Sequence, residues 1–454
     1  MRRWRRIGTS ILAGLVSVTS SQAIRAQGGE EELTLPRAVE IALQRNPLAR
    51  MAIAGREIAD AQIAEARAAR FPIVQFSETF SNGNNPVFVF GSLLEQARFG
   101  PANFDLRFLN HPPSLNVFRT ALTLRVPLFD RWQTETRHAQ AEEEVRRADA
   151  QAAWIEQQIR FEVIRAYYNV LSAEARQRVA DEAVRMAEAD VQRIRAMFEA
   201  GLVVISDVLA AEVQLAEFRQ QLIQADGDVV TARAGLNTAL GLPVTAPHRV
   251  VGQLIERTFE VEGPEELMRL ALQHRPDLVR ARLAVRSREH GVRGALGQYL
   301  PRLDLFATVG ATGRGLLSGS ADYTIGASLT FEVFDGGRAA RVRQARAALA
   351  LTEAETEQLV NQIRLDVVRA FEHYRSARER LVVAARAVQQ AEEALRIVQD
   401  RHQEGLTTIT EVLRAQTALV RARMNALTAR YEYVVGYATV LLATGRLTDI
   451  RPFI

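Results

Sequence analysis

Two acidic residues, Asp207 and Glu411, follow two turns of related sequence, GLVVISDVL (201–209) and GLTTITEVL (405–413). A carboxylate in the first turn of a helix is stabilised by the helix dipole, and this structural role accounts for both residues. The alternative is that symmetry repeats each acid around the mouth of a pore. A ring of like charge would then favour cations and would resist closing.

The other residue types capable of chemistry form no recognisable site. The seven histidines are scattered without metal-ligand spacing, and no Ser/His/Asp arrangement is recognisable. The chain has no cysteine, which excludes disulfides, thiolate metal sites, a cysteine nucleophile and a lipid-modified N-terminal cysteine. We therefore predict a protein that is not an enzyme and that holds no metal or cofactor.

The N-terminus has the pattern of a secretory signal peptide over residues 1–26. The basic stretch MRRWRR precedes the apolar stretch IGTSILAGLVSV, and small residues precede cleavage after Ala23 or Ala26. Five of the 57 basic residues are arginines of this segment, against 53 acidic residues in the whole chain. The mature chain is therefore near neutral, and nucleic-acid binding has no support.

The mature chain is an internal duplication with a period too long for a solenoid. Each half reads helix, helix, strand, strand, long helix, turn, helix. The motifs that recur in the same order are ALQRNP (42–47) and ALQHRP (271–276), Phe71-Pro72 and Leu300-Pro301, LFD (128–130) and VFD (333–335), and the two glycine turns.

These motifs divide the chain into a first repeat over 27–240, a linking segment over 241–262 and a second repeat over 263–454. The first strand pair is separated by the longer stretch, so residues 81–113 are interpreted as an insertion with the character of a loop. Insertions of this kind are tolerated at exposed ends of hairpins.

Four strands of about ten residues match the length of a tilted membrane-spanning strand, and each alternates apolar and polar residues. A barrel with lipid outside and water inside has this pattern, and so does a soluble sheet with one buried face. Four strands do not enclose a water-filled barrel, so a barrel requires several copies of the chain. The strands are predicted at 71–80, 118–129, 300–311 and 322–334; the lipid-facing residues are Leu122, Leu124, Val126, Ile325, Leu329 and Phe331, and the lumen-facing residues are Arg119, Arg125, Thr330 and Glu332.

Each strand pair leads into a long helical hairpin, over 131–240 and 337–442. The longest helix would measure about 100 Å at the usual rise per residue. Its apolar residues are spaced three or four apart, with a period near that of a coiled coil. Abundant alanine beside these seams favours a wall of helices closing into a tube, whereas an ordinary antiparallel hairpin is the alternative.

On these residues the chain resembles the TolC family of outer-membrane efflux and secretion ducts. The resemblance rests on the recurring motifs, on VPLFD (126–130) and VFDGG (333–337), and above all on GLVVISDVLAAEVQLAE and GLTTITEVLRAQTALVRAR. It implies a mainly α fold with a membrane β-barrel portion. Three chains would give four strands each to one barrel, and their helices would form a periplasmic tunnel.

The resemblance also implies a function without chemistry. A homotrimer in outer-membrane lipid would be the passive exit duct of a tripartite efflux or type I secretion system, docking a periplasmic adaptor and an inner-membrane pump. The alternative is a soluble periplasmic coiled-coil adaptor or scaffold, which predicts no lipid-facing strands.

By position, the resemblance places Asp207 and Glu411 at the periplasmic entrance. Arg414 stands where the family's archetype has a second acid, and His402 stands where it has a tyrosine. We hypothesise that His402 couples opening to pH through Asp207. Ser206 is predicted to cap the returning helix. The turns expected to dock the adaptor contain Gly201, Leu202, Ser206, Gly405, Leu406 and Thr410.

Overall fold

The computed structural model describes residues 32–254 and 257–454, so the predicted signal peptide lies outside the described residues. Most of the described chain is helical, and within these residues no helix is both long and apolar enough to cross a bilayer. In chain order the elements are β1 (Glu32–Leu33), α1 (Leu35–Arg45), α2 (Pro47–Ala68), β2 (Ile73–Gly83), α3 (Pro86–Glu95), α4 (Leu106–Asn110), β3 (Leu115–Phe129), α5 (Gln133–Glu199), α6 (Ile205–Leu240), β4 (Arg249–Val250), α7 (Pro264–His274), α8 (Pro276–Gly297), β5 (Arg302–Gly313), β6 (Ser320–Thr330), α9 (Arg338–Gln403) and α10 (Ile409–Ala443).

In each repeat the end of the returning helix packs on the junction between the first two helices, and the two contacts are equivalent. Helices α6 and α10 each end at a glycine with positive φ, Gly241 (+72°) and Gly445 (+70°). A Cβ on Gly241 would lie 2.7 Å from the carbonyl oxygen of Arg45, and one on Gly445 would lie 2.8 Å from that of His274. Each glycine therefore lets the end of a returning helix pack directly on the α1–α2 or α7–α8 junction.

A side chain from each junction also binds the returning helix. Asn46 donates from Nδ2 to the carbonyl oxygen of Ala239 over 2.8 Å. At the equivalent place Arg275 lies 3.5 Å from the carbonyl oxygen of Ala443 and is buried beside Asp277. The duplication read in the sequence thus extends to individual contacts.

The largest apolar cluster lies at the level of these junctions and contains residues of α1, α5, α6, α7, α9 and α10. Its centre includes the fully buried side chains of Val163 and Val434. The phenol of Tyr167 contacts the carbonyl oxygens of Leu33 and Val251, and burial raises its pKa to about 12. The core is therefore made by both repeats together.

The four long strands form one antiparallel sheet in the order β2-β3-β5-β6. Leu122 is opposite Phe76 on one side and Val309 on the other, so the apolar residues of neighbouring strands share one face. We call this the apolar face, and the face that carries Arg119 and Thr123 the polar face. Among the described residues, β2 and β6 each have an unpaired edge.

The last predicted strand is too long. β6 ends at Thr330, opposite Arg302, and the assignment of 331–334 to the strand was wrong. The next position on β5 would be Pro301, which has no N–H to donate to the ladder. β3 instead begins at Leu115, before its predicted start, and β2 continues to Gly83.

The insertion is also more ordered than a loop. It contains α3, α4 and a 3-10 turn over Pro101–Phe104. Oδ1 of Asn85 accepts hydrogen bonds from the backbone N–H groups of Val87 and Phe88, which caps α3. The sequence Asn85-Pro86 is a typical helix start, and this signal was missed.

Candidate functional site at the helical tip

The two glycine turns have the same backbone structure. Gly201 (φ +73°) donates to the carbonyl oxygen of Phe198, and Leu202 donates to that of Met197. Gly405 (φ +75°) and Leu406 make the equivalent bonds to His402 and Arg401. These are Schellman caps, in which the left-handed glycine reverses the chain and satisfies the last helical carbonyls.

The fold brings the two turns together. One apolar cluster contains residues of all four long helices near their turns, including Ile194 and Val208 from the first repeat and Ile409 and Leu413 from the second. We call this end of the molecule the tip. The sequence-predicted tip residues therefore form one surface rather than two separate hairpin ends.

Helix α6 begins one residue before Ser206, so the prediction that Ser206 caps it was wrong. Val204 has the extended conformation of the cap (φ −96°, ψ 157°), and no side chain accepts a capping bond. Thr410 likewise lies inside α10, since Ile409 is its first residue. Neither first turn has a side-chain cap, and each contains an acidic residue, which the helix dipole favours at that position.

Asp207 and Glu411 occupy equivalent places in those first turns. Glu411 binds Arg414 over 2.8 Å, and both side chains are largely exposed. For Asp207 the described residues supply no side-chain hydrogen bond or ion pair. The two acids thus differ, because an arginine offsets the charge of Glu411, whereas no described residue pairs with Asp207.

His402 is oriented by its own turn. Its Nδ1 lies 3.1 Å from the carbonyl oxygen of Thr407 and donates to it, since a carbonyl oxygen only accepts. Within the described part of the chain no bond joins His402 to Asp207. The hypothesised pH link is therefore not formed inside one copy.

Beside the predicted Leu202, the first turn exposes apolar side chains that the sequence reasoning missed. Leu202 is 71% exposed and Val204 is 61% exposed, and Ile205, Leu209 and Val213 are exposed beside them. On the second turn the exposed large apolar residue is Leu406. A signal was present, because the first turn has valines where the second has threonines at 407 and 408. An apolar patch of this kind is typical of a surface that binds another protein.

The sheet supplies a second apolar surface at the opposite end of the long helices. Ile325 is 70% exposed, and Leu122 and Leu329 on the same face are also exposed. Leu124 and Val126 belong to this face by register, opposite Ala307 and Leu305.

Aromatic side chains lie near both ends of this surface. The rings of Phe80 and Phe118 are 4.9 Å apart near the hairpin end, and those of Phe129 and Trp132 are 6.4 Å apart near the helices. Membrane strands commonly carry such aromatic girdles at the two interfaces.

The polar face holds three of the four predicted lumen residues. Arg119 lies 3.5 Å from Glu95, and Arg125 and Thr330 lie on the same face as Arg119. Glu332 and Phe331 are outside the strand, so their assignment to strand faces was wrong. Glu332 instead lies 3.1 Å from Arg131, at the start of the first long helix.

The described residues contain no group of three histidine, aspartate or glutamate side chains placed to hold a metal ion. The two surfaces are suited to contacts with other molecules: the tip through apolar and charged groups, and the sheet through one apolar face.

Known proteins resemble this chain in sequence or in fold. Protein CyaE of Bordetella pertussis is 27% identical over 428 residues, covering 92% of this chain and 85% of the relative. Outer membrane efflux protein BepC of Brucella suis is 24% identical over 422 residues, covering 91% and 86%. The CmeC outer membrane channel of Campylobacter jejuni has the same fold, with a TM-score of 0.77 and 17% identity over 91% of this chain and 85% of that one.

A family model described as outer membrane efflux protein matches residues 38–242 and 267–446, which is most of both repeats. This match favours a channel over the soluble adaptor or scaffold that the sequence left as an alternative. The chain therefore belongs to the outer membrane efflux protein family, whose members are non-enzymatic conduits of the outer membrane.

Proposed function

We propose that three copies of the chain form one duct, with a β-barrel in the outer membrane and a helical tunnel in the periplasm. In this assembly the duct is the exit of a tripartite efflux or type I secretion system. The observation that carries the proposal is the register of the sheet, which collects the apolar residues of four strands on one face. Both edge strands have an edge that no described strand pairs with.

The two unpaired edges explain why copies must combine. An exposed strand edge presents unsatisfied N–H and C=O groups, which are costly in lipid. Pairing β6 of one copy with β2 of the next removes every edge when the ring closes. Three copies then give twelve strands, enough for a barrel with a wide interior.

The apolar face supports the same arrangement. In a closed barrel it turns outward to lipid, and Arg119, Arg125 and Thr330 turn inward to water. The aromatic pairs Phe80–Phe118 and Phe129–Trp132 then lie near the two interfaces. The helices extend the duct by about 100 Å on the periplasmic side.

The tip is the docking site for the periplasmic adaptor in this proposal. Leu202, Val204 and Leu209 supply an apolar contact. Asp207 supplies a negative charge that no described residue of its own copy pairs with. The hypothesis that His402 senses pH through Asp207 then requires the aspartate of a neighbouring copy.

Electron microscopy of the detergent-purified chain tests the proposal. We expect a threefold hollow tube about 130 Å long, from a helical part of about 100 Å and a barrel of about 30 Å. A thin solid rod that stays dispersed without detergent would contradict it.

A further inference from the structure

The inserted segment, residues 84–114, folds back over the polar face of the sheet. A Cβ on Gly83 would point to this face and would lie 3.3 Å from the ring of Phe88 on α3. Glu95 at the end of α3 lies 3.5 Å from Arg119 of the polar face. Gln96 donates to the backbone carbonyl of Asn116 over 3.3 Å. Three contacts thus hold the segment to the hairpin end of the sheet.

The inward side of α3 is a small apolar core. Val89 and Leu93, one helical turn apart, are 2% and 5% exposed. Val117 and Thr312, which share the polar face with Arg119, are also buried. The segment is therefore packed on the sheet rather than extending freely from the hairpin.

The outward side of the segment is apolar and uncovered. Val87 is 81% exposed and Leu94 is 51% exposed, on the side of α3 opposite Val89. Leu106 of α4 is 74% exposed. Edge-to-face contacts of Phe99 with Phe90 and Phe104 tie α3 to the 3-10 turn, so the uncovered residues belong to one packed unit.

We infer that the inserted segments of three copies pack against one another and close the outer mouth of the barrel. The inference rests on the proposed trimeric duct, in which the polar face is the inner wall. A helix held on that wall cannot reach lipid, and its free side points to the threefold axis. The same segment of the two other copies is the apolar surface that meets it there.

The dimensions of the barrel agree with this contact. Twelve strands spaced about 4.8 Å apart and tilted about 40° give a radius of about 12 Å. A helix is about 10 Å across with its side chains, so each α3 covers most of the distance from wall to axis. Val87 and Leu94 of three copies then bury apolar area that water would otherwise contact.

Conductance of single trimers in planar lipid bilayers, with potassium chloride as the permeant salt, tests the closure. The double variant Val87→Asn/Leu94→Gln makes the contact polar, adds no charge and leaves the residues facing the sheet unchanged. We expect its conductance to exceed that of the wild type severalfold. The matched control Val87→Leu/Leu94→Met keeps the contact apolar and should conduct like the wild type.

A cross-link provides a second measurement that does not depend on current. The chain has no cysteine, so Leu94→Cys introduces a single thiol in each copy. Disulfide formation requires Cα atoms within about 7 Å, and we expect a cross-linked pair in oxidised outer membranes. Val309→Cys, on the apolar face of the same sheet, should stay monomeric on a denaturing gel.

Two failures are distinguishable. If the purified wild type forms no trimeric pores, the proposed function is wrong. If it forms trimeric pores, but the polar variant conducts like the wild type and Leu94→Cys gives no cross-link, the duct stands and the closure is wrong. The apolar side of the segment would then line an open channel rather than a contact between copies.

Discussion

Gln416 of α10 donates from Nε2 to Oδ2 of Asp190 on α5 over 2.6 Å, and both side chains are buried. Gln214 of α6 donates to Oε1 of Gln416 over 3.3 Å. This polar layer joins three long helices. It lies between an apolar cluster that contains Ile194 and another that contains Phe218. The layer thus joins the two hairpins by hydrogen bonds inside an otherwise apolar seam.

We expect Asp190→Leu to lower the free energy of unfolding by about 1–3 kcal/mol, because the buried amide of Gln416 loses its acceptor. Replacing Asp190, Gln214 and Gln416 together by leucine should restore most of that stability, since no buried polar group then lacks a partner. Thermal unfolding of the detergent-solubilised protein, followed by circular dichroism, measures the stability of the single and the triple variant. Equal destabilisation of the single and triple variants would contradict a role for the hydrogen bonds.

A charge on the apolar face should block insertion. Ile325 lies at the middle of β6 and is a better probe than Leu329, which is next to the strand end. We expect Ile325→Arg to cost about 2–4 kcal/mol per copy in lipid. Thr324→Arg, the neighbouring residue on the polar face, is the matched control. Outer-membrane fractionation should find trimers of the control alone, and equal recovery of both variants would disprove the assignment of faces.

The adaptor-docking proposal predicts different effects at equivalent positions of the two turns. Val204→Asp places a charge in the exposed apolar patch and should abolish export in the native host. Thr408→Asp changes the matching residue of the second turn and should keep most of it. Both variants should form pores of normal conductance, which shows that the duct itself is intact. Loss of export in both variants, or in neither, would remove the basis for docking at the first turn.

Stability should fall at alkaline pH because of Tyr167. Burial raises its pKa from the ordinary 10.0 to about 12, so the unfolded chain loses the phenol proton first. The stabilisation of the folded state by the protonated phenol of Tyr167 is complete below about pH 10. It declines by about 1.4 kcal/mol per pH unit up to about pH 12. Tyr167→Phe should be less stable at neutral pH but should show a shallower alkaline decline. Tyr299→Phe, at a site that is 46% exposed and outside the strands, is the control, and an unchanged slope in Tyr167→Phe would refute the assignment.

Gly235 within α6 and Gly241, which follows it, should respond in opposite directions to alanine. At Gly235 a Cβ meets nothing within 4 Å, and alanine in a helix is favoured over glycine by up to about 1 kcal/mol. At Gly241 the positive φ and the contact with Arg45 leave no room, so alanine should destabilise the protein by more than that. Melting temperatures of the two variants give the test. A stabilised Gly241→Ala would show that the junction can shift.

Much of this architecture follows from local patterns in the sequence. The recurring motifs predicted the duplication. The length of the coiled-coil pattern predicted the long helices, with their ends within a few residues of those in the structure. The strand at 322–334 was overextended because alternation continues past Thr330 while the ladder stops at Pro301. Periodicity describes one strand, whereas pairing depends on the N–H groups of its neighbour.

The tip shows what local patterns leave out. The acids and glycines were visible, but exposure of Leu209 and Val213 depends on which side of α6 packs on its neighbours. The layer around Asp190 joins the first hairpin to α10, which is more than 200 residues away in sequence. Residues 84–114 look like a loop because their helices are short, and their position over the polar face is a tertiary property.

The unlike turns at the tip have a consequence for stoichiometry. A trimer of a duplicated chain has six hairpin ends arranged in a ring. The ring has approximate sixfold symmetry, but only its threefold axis is exact. Apolar ends that carry Val204 alternate with polar ends that carry Thr408. If the proposed trimer binds six identical partner subunits on this ring, they occupy two classes of site with unequal affinity. Titration of such a partner would saturate in two steps of three.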